Sequence, residues 1–204
     1  MSLLQRIIGT LPHAGDTARG RRDMTPAPHA NTHSIEGTPS MPAARLWIDG
    51  VGCWLAWWQP RISIGGPSTR HAADLALLSD LQSLHLVIER VGEEYLAHPH
   101  GPTLINDKSI ATPTPLMHGD ELRLGGDVRV RFKLPSSLST SAVLEIASDH
   151  RPSQRTDGIV LLDQTCLIGP GSDQHIRCRG AQDSVVVFRR DDAFWVRARR
   201  PLQV

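Results

Sequence analysis

The 204-residue sequence has no excess of either charge: 22 Lys and Arg stand against 21 Asp and Glu. No global field therefore argues for nucleic acid or a membrane surface as a partner. It lacks a cysteine framework as well. Cys53, Cys166 and Cys178 are an odd number without paired metal spacing, and they read as small buried side chains in a reducing compartment. Long apolar runs are missing too. Leu3, Leu4, Ile7 and Ile8 are interrupted by Arg6, which argues against a signal peptide or a membrane span and for a cytoplasmic protein. No helical pattern follows the glycine pairs, so neither a P-loop nor a dinucleotide fingerprint is present. Aromatic residues are scarce outside one stretch, where Trp47, Trp54, Trp57 and Trp58 supply four of the five tryptophans. A base-stacking platform would need interleaved basic residues, and none lies between Cys53 and Trp58. Core or inter-domain packing is the stronger reading.

What is present divides into segments. Residues 1–44 read as a disordered Pro/Ser/Thr-rich tail with almost nothing to bury. Leu4, Ile7, Ile8 and Leu11 in it lie at the spacing of a short N-terminal helix. Thr25-Pro26 and Thr38-Pro39 are accessible threonines for a kinase, or ordinary linker composition. From residue 45 the pattern changes to short alternating strands punctuated by Gly, Pro and Asn/Asp, which predicts an all-β sandwich over 45–134. Residues 135–141 read as a Ser-rich linker, and 142–204 as a second unit.

Within the first unit the order of signals is more specific than the class. Ile62-Ser63-Ile64 ends on Gly65-Gly66, and His85 opens the next long strand. Asn106-Asp107 forms a turn, and Leu116-Met117-His118-Gly119-Asp120-Glu121-Leu122-Arg123-Leu124-Gly125 closes the set. This succession resembles a forkhead-associated (FHA) domain. The second unit echoes its beginning. Ile168-Gly169-Pro170-Gly171-Ser172-Asp173-Gln174-His175 answers Ile64-Gly65-Gly66-Pro67-Ser68-Thr69-Arg70-His71. Val187 and Trp195-Val196 answer Val87 and Tyr95-Leu96, and Ile159-Val160-Leu161-Leu162 answers Leu55 to Trp58. Self-similarity at this period predicts tandem units, the second an incomplete sandwich. Such a half-copy would leave an open core. Either it is a piece of a longer protein, which is the expectation, or it pairs with the first unit or another chain.

The resemblance implies a phosphothreonine-peptide reader whose loops at one end of the sandwich grip phosphate with Arg, hydroxyl and amide groups. Gly65, His85, Gly101, Asn106, Gly119 and Asp120 match its scaffold. The hook is altered. Gly66 stands where the pattern has Arg, Gln82 where it has Ser, with Ser83 displaced by one, and His100 replaces the Asn before Gly101. In the second unit Pro170 holds the Arg position, and Ala181, Gln182 and Asp183 give no clear Ser. A substitute rim is available in Ser68, Thr69, Arg70, His71, Ser83 and His100. The alternative is that Arg70 and His71 are solvated loop residues and phosphate is no longer bound.

Catalysis is not expected. Ser68 with His71, and Ser172 with His175, lack a nucleophile-elbow context. His98 and His100 lack a third metal ligand, and Asp120-Glu121 are turn residues rather than an acid/base pair. No cofactor is implied. Two functions remain: a phosphothreonine-binding adaptor in a bacterial-type Ser/Thr kinase pathway, whose ligand could include the chain's own Thr25 or Thr38, and a degenerate FHA scaffold that binds proteins without phosphate.

Overall fold

The computed structural model describes residues 33–35, 43–70, 72–190 and 193–201. The possible N-terminal helix, Thr25, Thr38 and His71 lie outside the described residues. Within these bounds the chain is all-β, with 18 strands and no helix. Among the described residues no helix is long and apolar enough to cross a membrane.

The strands form three sheets. The central one runs in the spatial order β9 (Lys108–Ile110), β8 (Thr103–Ile105), β11 (Glu121–Leu124), β12 (Val128–Lys133), β13 (Ala142–Ile146), β14 (Gly158–Leu161), β3 (Gly52–Trp57) and β2 (Ala43–Ile48). A first outer sheet has the order β10 (Thr114–Pro115), β7 (Glu94–Pro99), β6 (Leu86–Val91), β4 (Arg61–Gly65) and β5 (Leu75–Ala76). A second outer sheet has the order β1 (His33–Ile35), β18 (Ala193–Ala198), β17 (Val185–Arg190), β15 (Thr165–Gly169) and β16 (Ile176–Arg177).

The central sheet is covered on one face along most of its width and on both faces at one end. Side-chain alternation makes this possible, because successive residues of a strand face opposite sides. Leu55 and Trp57 of β3, Ala142 and Leu144 of β13, and Ile159 and Leu161 of β14 pack with Ile64, Ile88, Tyr95 and Phe132 in the first core. Trp54 and Ala56, Val143, and Val160 point the other way. They pack with Cys166, Ile168, Val187 and Val196 in the second core. The strands reflect this: β3 and β14 are continuous apolar runs, as in sheets buried on both faces. By contrast β12 alternates buried and exposed positions. Its solvent face carries cross-strand charge pairs, Arg131–Glu121 at 3.3 Å and Lys133–Glu145 at 2.6 Å.

The second unit is thus not left with an open core; its outer sheet closes on the strands it shares with the first. Residues 134–141 connect two neighbouring antiparallel strands, β12 and β13, of one sheet. Within the expected tail, residues 33–35 pair with β18, and β2 begins at Ala43. In the first unit, the two residues of β10 border β7.

Three of the tryptophans serve the two cores. Trp57 is buried in the first and donates its indole N–H to the Arg61 carbonyl at 2.7 Å. Trp54 is buried in the second, where Gly158 lies under its ring. A Cβ at Gly158 would come within 2.4 Å of that ring. Trp58 meets Phe194 edge-on with ring centroids 5.2 Å apart, and Trp47 is exposed. All three cysteines are free and buried. Burial raises the Cys53 and Cys166 thiols above their ordinary pKa.

The internal repeat is real in three dimensions but differs in register from the sequence match. Ile64 lies opposite Leu75 and Leu86, as Ile168 lies opposite Ile176 and Val185. The counterpart of Val187 is therefore Ile88, that of Val196 is Ala97, and that of His175 is Asp74 rather than His71. The cause is loop length: nine residues (66–74) join β4 to β5, against six (170–175) between β15 and β16. Ile159–Leu161 and Leu55–Trp57, similar in sequence, are parallel neighbours in the shared sheet.

Candidate functional site

The loops expected to meet a phosphopeptide leave one end of the first sandwich. Strand β4 ends at Gly65, and the chain returns over that end through residues 79–83. The contact is backbone on backbone. The Gly66 amide donates to the Gln82 carbonyl at 2.8 Å, and the Leu77 amide donates to the Gly65 carbonyl at 2.8 Å. Neither glycine could carry a side chain in this arrangement. A Cβ on Gly65 would lie 2.2 Å from the Ser83 oxygen, and one on Gly66 would lie 2.3 Å from the Leu81 oxygen. The place where the resemblance has an Arg is occupied by the 79–83 backbone.

His85 organises the other side of this end. It is buried, its amide donates to the Ile64 carbonyl at 2.9 Å, and its carbonyl accepts the amides of His100 at 2.9 Å and Gly101 at 3.0 Å. Its Nε2 lies 2.9 Å from the Pro102 carbonyl. A carbonyl only accepts, so Nε2 bears the proton. Nδ1 is buried with no hydrogen-bond partner among the described residues. The imidazole lies against Gly101, where a Cβ would come within 2.5 Å of the ring. That close approach is why a glycine follows His100.

The remaining scaffold positions lie at the opposite end. Asn106 and Asp107 adopt positive φ, 49° and 65°, the geometry of a tight hairpin turn between β8 and β9. The Asn106 side-chain amide donates to Asp120 Oδ1 at 2.7 Å and its oxygen accepts the Glu121 amide at 3.0 Å. Asp120 Oδ2 accepts the Met117 amide at 2.7 Å, and Gly119 takes the φ of 91° that its turn needs. Strands β8 and β11 run from this cluster to the His85 end, where the Gly125 amide donates to the Pro102 carbonyl at 3.0 Å. The six scaffold residues thus form two clusters, Gly65, His85 and Gly101 at one end and Asn106, Gly119 and Asp120 at the other.

The expected rim residues are placed as follows. Ser68 Oγ accepts the Arg70 amide at 3.3 Å, so these two share one turn. Thr69, Arg70 and His100 are exposed, and Ser83 is half-buried beside Gly65. No ion pair holds the Arg70 guanidinium among the described residues. A separate groove of about 840 Å³ follows residues 134–140, lined by Ser136, Ser137, Ser139, Thr140 and Thr165 with His118 and Glu93. No Arg or Lys lines it, which does not suit a phosphate. Among the described residues no three His, Cys, Asp or Glu side chains gather as metal ligands.

Sequence reasoning missed a cluster that joins the two units. Asp163 pairs with Arg90 at 2.8 Å and accepts the Thr140 hydroxyl. Its amide donates to Ser141 Oγ at 3.0 Å, and the Tyr95 hydroxyl donates to the Thr140 carbonyl at 2.8 Å. The lone tyrosine, in a strand of otherwise ordinary composition, was the available signal, since a buried phenol needs an acceptor. Burial raises its pKa further.

No protein-family model matches the chain, and no curated protein matches it.

Proposed function

We propose that the protein is a degenerate FHA-like scaffold that binds partner proteins through surface and strand-edge contacts, without phosphate and without catalysis. The observation that carries this reading is the Leu81 carbonyl over Gly66. Phosphate recognition depends on charge-assisted donors reaching into the loop end. At this end the amide of Gly66 already serves Gln82 and its α-carbon is capped by backbone.

One observation favours the second reading, a phosphothreonine-binding adaptor of a Ser/Thr kinase pathway. Arg70 is exposed beside Ser68 and Thr69, and an Arg next to hydroxyls is a phosphate-binding chemistry. The experiment that separates the two uses the full chain. Its binding to a degenerate phosphothreonine peptide library is compared with binding to the unphosphorylated twin. Equal binding to both supports the scaffold. Phosphate-dependent binding that disappears in Arg70→Ala supports the adaptor and overturns the scaffold.

A further inference from the structure

The two outer sheets share one strand order, edge strand included. In the first sheet the strand beside β7 is β10, which follows β7 in the chain. In the second the strand beside β18 is β1, which comes from far upstream. Both are antiparallel, and their registers agree. Thr114 lies opposite Ala97, and His33 lies opposite Val196. Ala97 and Val196 are themselves equivalent, being opposite Ile88 and Val187 in the next strands. A segment from outside the second unit therefore fills the position that β10 fills in the first.

We propose that the edge of β18 is a strand-docking site whose ligand is the chain's own segment 33–35, held by β-strand addition and able to leave as a unit. An uncovered edge offers a row of amides and carbonyls to any extended backbone. The six-residue β18 receives only three residues, opposite Phe194, Trp195 and Val196, so few ladder hydrogen bonds hold the ligand. Residues 36–42 tether it to β2. Seven residues reach at most about 25 Å, which keeps the local concentration of the segment high and favours docking within one chain. The same backbone chemistry would accept this segment from solution once the tethered copy is gone. This site lies in the second unit and does not depend on how the loop end of the first unit is read.

The test is hydrogen exchange on the full chain and on a full-length variant carrying Ser34→Pro and Ile35→Pro. Adjacent amides of a strand point to opposite sides, so two consecutive prolines remove whichever one faces β18. Slow exchange at residues 194–196 is expected in the parent chain. In the variant it should be at least tenfold faster at those alternate amides of 194–196 that face β1, with the amides that face β17, and β15 and β17 themselves, unchanged. A synthetic peptide of residues 30–38 should restore slow exchange in the variant, have no effect on the parent chain, and lose its effect when scrambled. Equal exchange at 194–196 in both proteins, or no restoration by the peptide, overturns the proposal. Fast exchange spreading through β15 and β17 overturns it as well, because β1 would then be an integral strand rather than a detachable ligand.

Discussion

His175 and Asp74 hold the same place in the two units and accept the same kind of hydrogen bond. His175 Nδ1 accepts the Leu167 amide at 3.0 Å, and Asp74 Oδ2 accepts the Ser63 amide at 2.8 Å. Each fastens the loop entering a two-residue strand to the strand it pairs with. In the first unit Ser63 Oγ adds a second bond to the carboxylate at 2.6 Å. In the second the far side of the ring donates from Nε2 to the Ser141 carbonyl at 3.1 Å.

That arrangement makes the second unit sensitive to acid. Nδ1 can accept only while the ring is neutral, and burial lowers the His175 pKa below its ordinary value. A folded-state pKa below the unfolded one means that the unfolded chain binds the proton first. The contribution is complete above about pH 6.5 and is lost as pH falls from there through the folded-state pKa. Each unit of displacement is worth about 1.4 kcal/mol. Urea unfolding followed by tryptophan fluorescence should show lower stability at pH 5 than at pH 7.5, and His175→Asn should flatten that difference.

Restoring an Arg at the capped position should damage the fold rather than create a site. Gly66→Arg sets a Cβ against the Leu81 carbonyl, and backbone has to move to admit it. A cost of at least about 2 kcal/mol is expected, read as a lowered midpoint in thermal or urea unfolding. Arg70→Ala, on an exposed turn, should change stability by less than about 0.5 kcal/mol.

Because β3, β13 and β14 belong to both cores, the two units should unfold together. Trp57→Ala removes a side chain from the first core and Trp54→Ala one from the second. Each is expected to cost about 3–5 kcal/mol, and each should shift one common transition. Two separate transitions in a calorimetric scan of either variant would contradict the shared sheet.

The Tyr95–Thr140 and Arg90–Asp163 contacts tie residues 139–163 to the first outer sheet. Tyr95→Phe should cost about 1 kcal/mol, the net worth of an ordinary hydrogen bond. Arg90 and Asp163 are mostly withdrawn from water, with side chains 22% and 19% exposed. A double-mutant cycle with Arg90→Ala and Asp163→Ala should therefore return a favourable coupling above the roughly 0.2–1 kcal/mol of exposed pairs.

The fold class was legible because alternation is a direct consequence of one buried face. The pattern of β12 and the turn chemistry at Asn106, Asp107 and Gly119 state it in the residues themselves. The third layer was also written there, in the continuous apolar runs of β3 and β14, but a run buried on both faces resembles any short core segment. The partner of the second unit was harder to read, since strand β1 reaches β18 across most of the chain and its three residues carry no strand signal. The pairing of His71 with His175 failed because a three-residue difference in loop length moved Asp74 into the equivalent place. At the candidate site, Gly65 reads as scaffold and Gly66 as the position of the altered hook. What they accommodate, the carbonyls of Leu81 and Ser83, is a long-range contact that no local pattern announces.

The claim on which the functional reading depends is that this loop end is closed to phosphate. The direct measurement is a titration of the isotopically labelled full chain with a phosphothreonine peptide, following the backbone amides of Gly66, Thr69, Arg70, Ser83 and His100 by NMR. The account predicts no saturable shift at Gly66, Ser83 or His100, and no difference from the unphosphorylated peptide. Saturable shifts shared by those amides, present only with phosphate and abolished by Arg70→Ala, would contradict it.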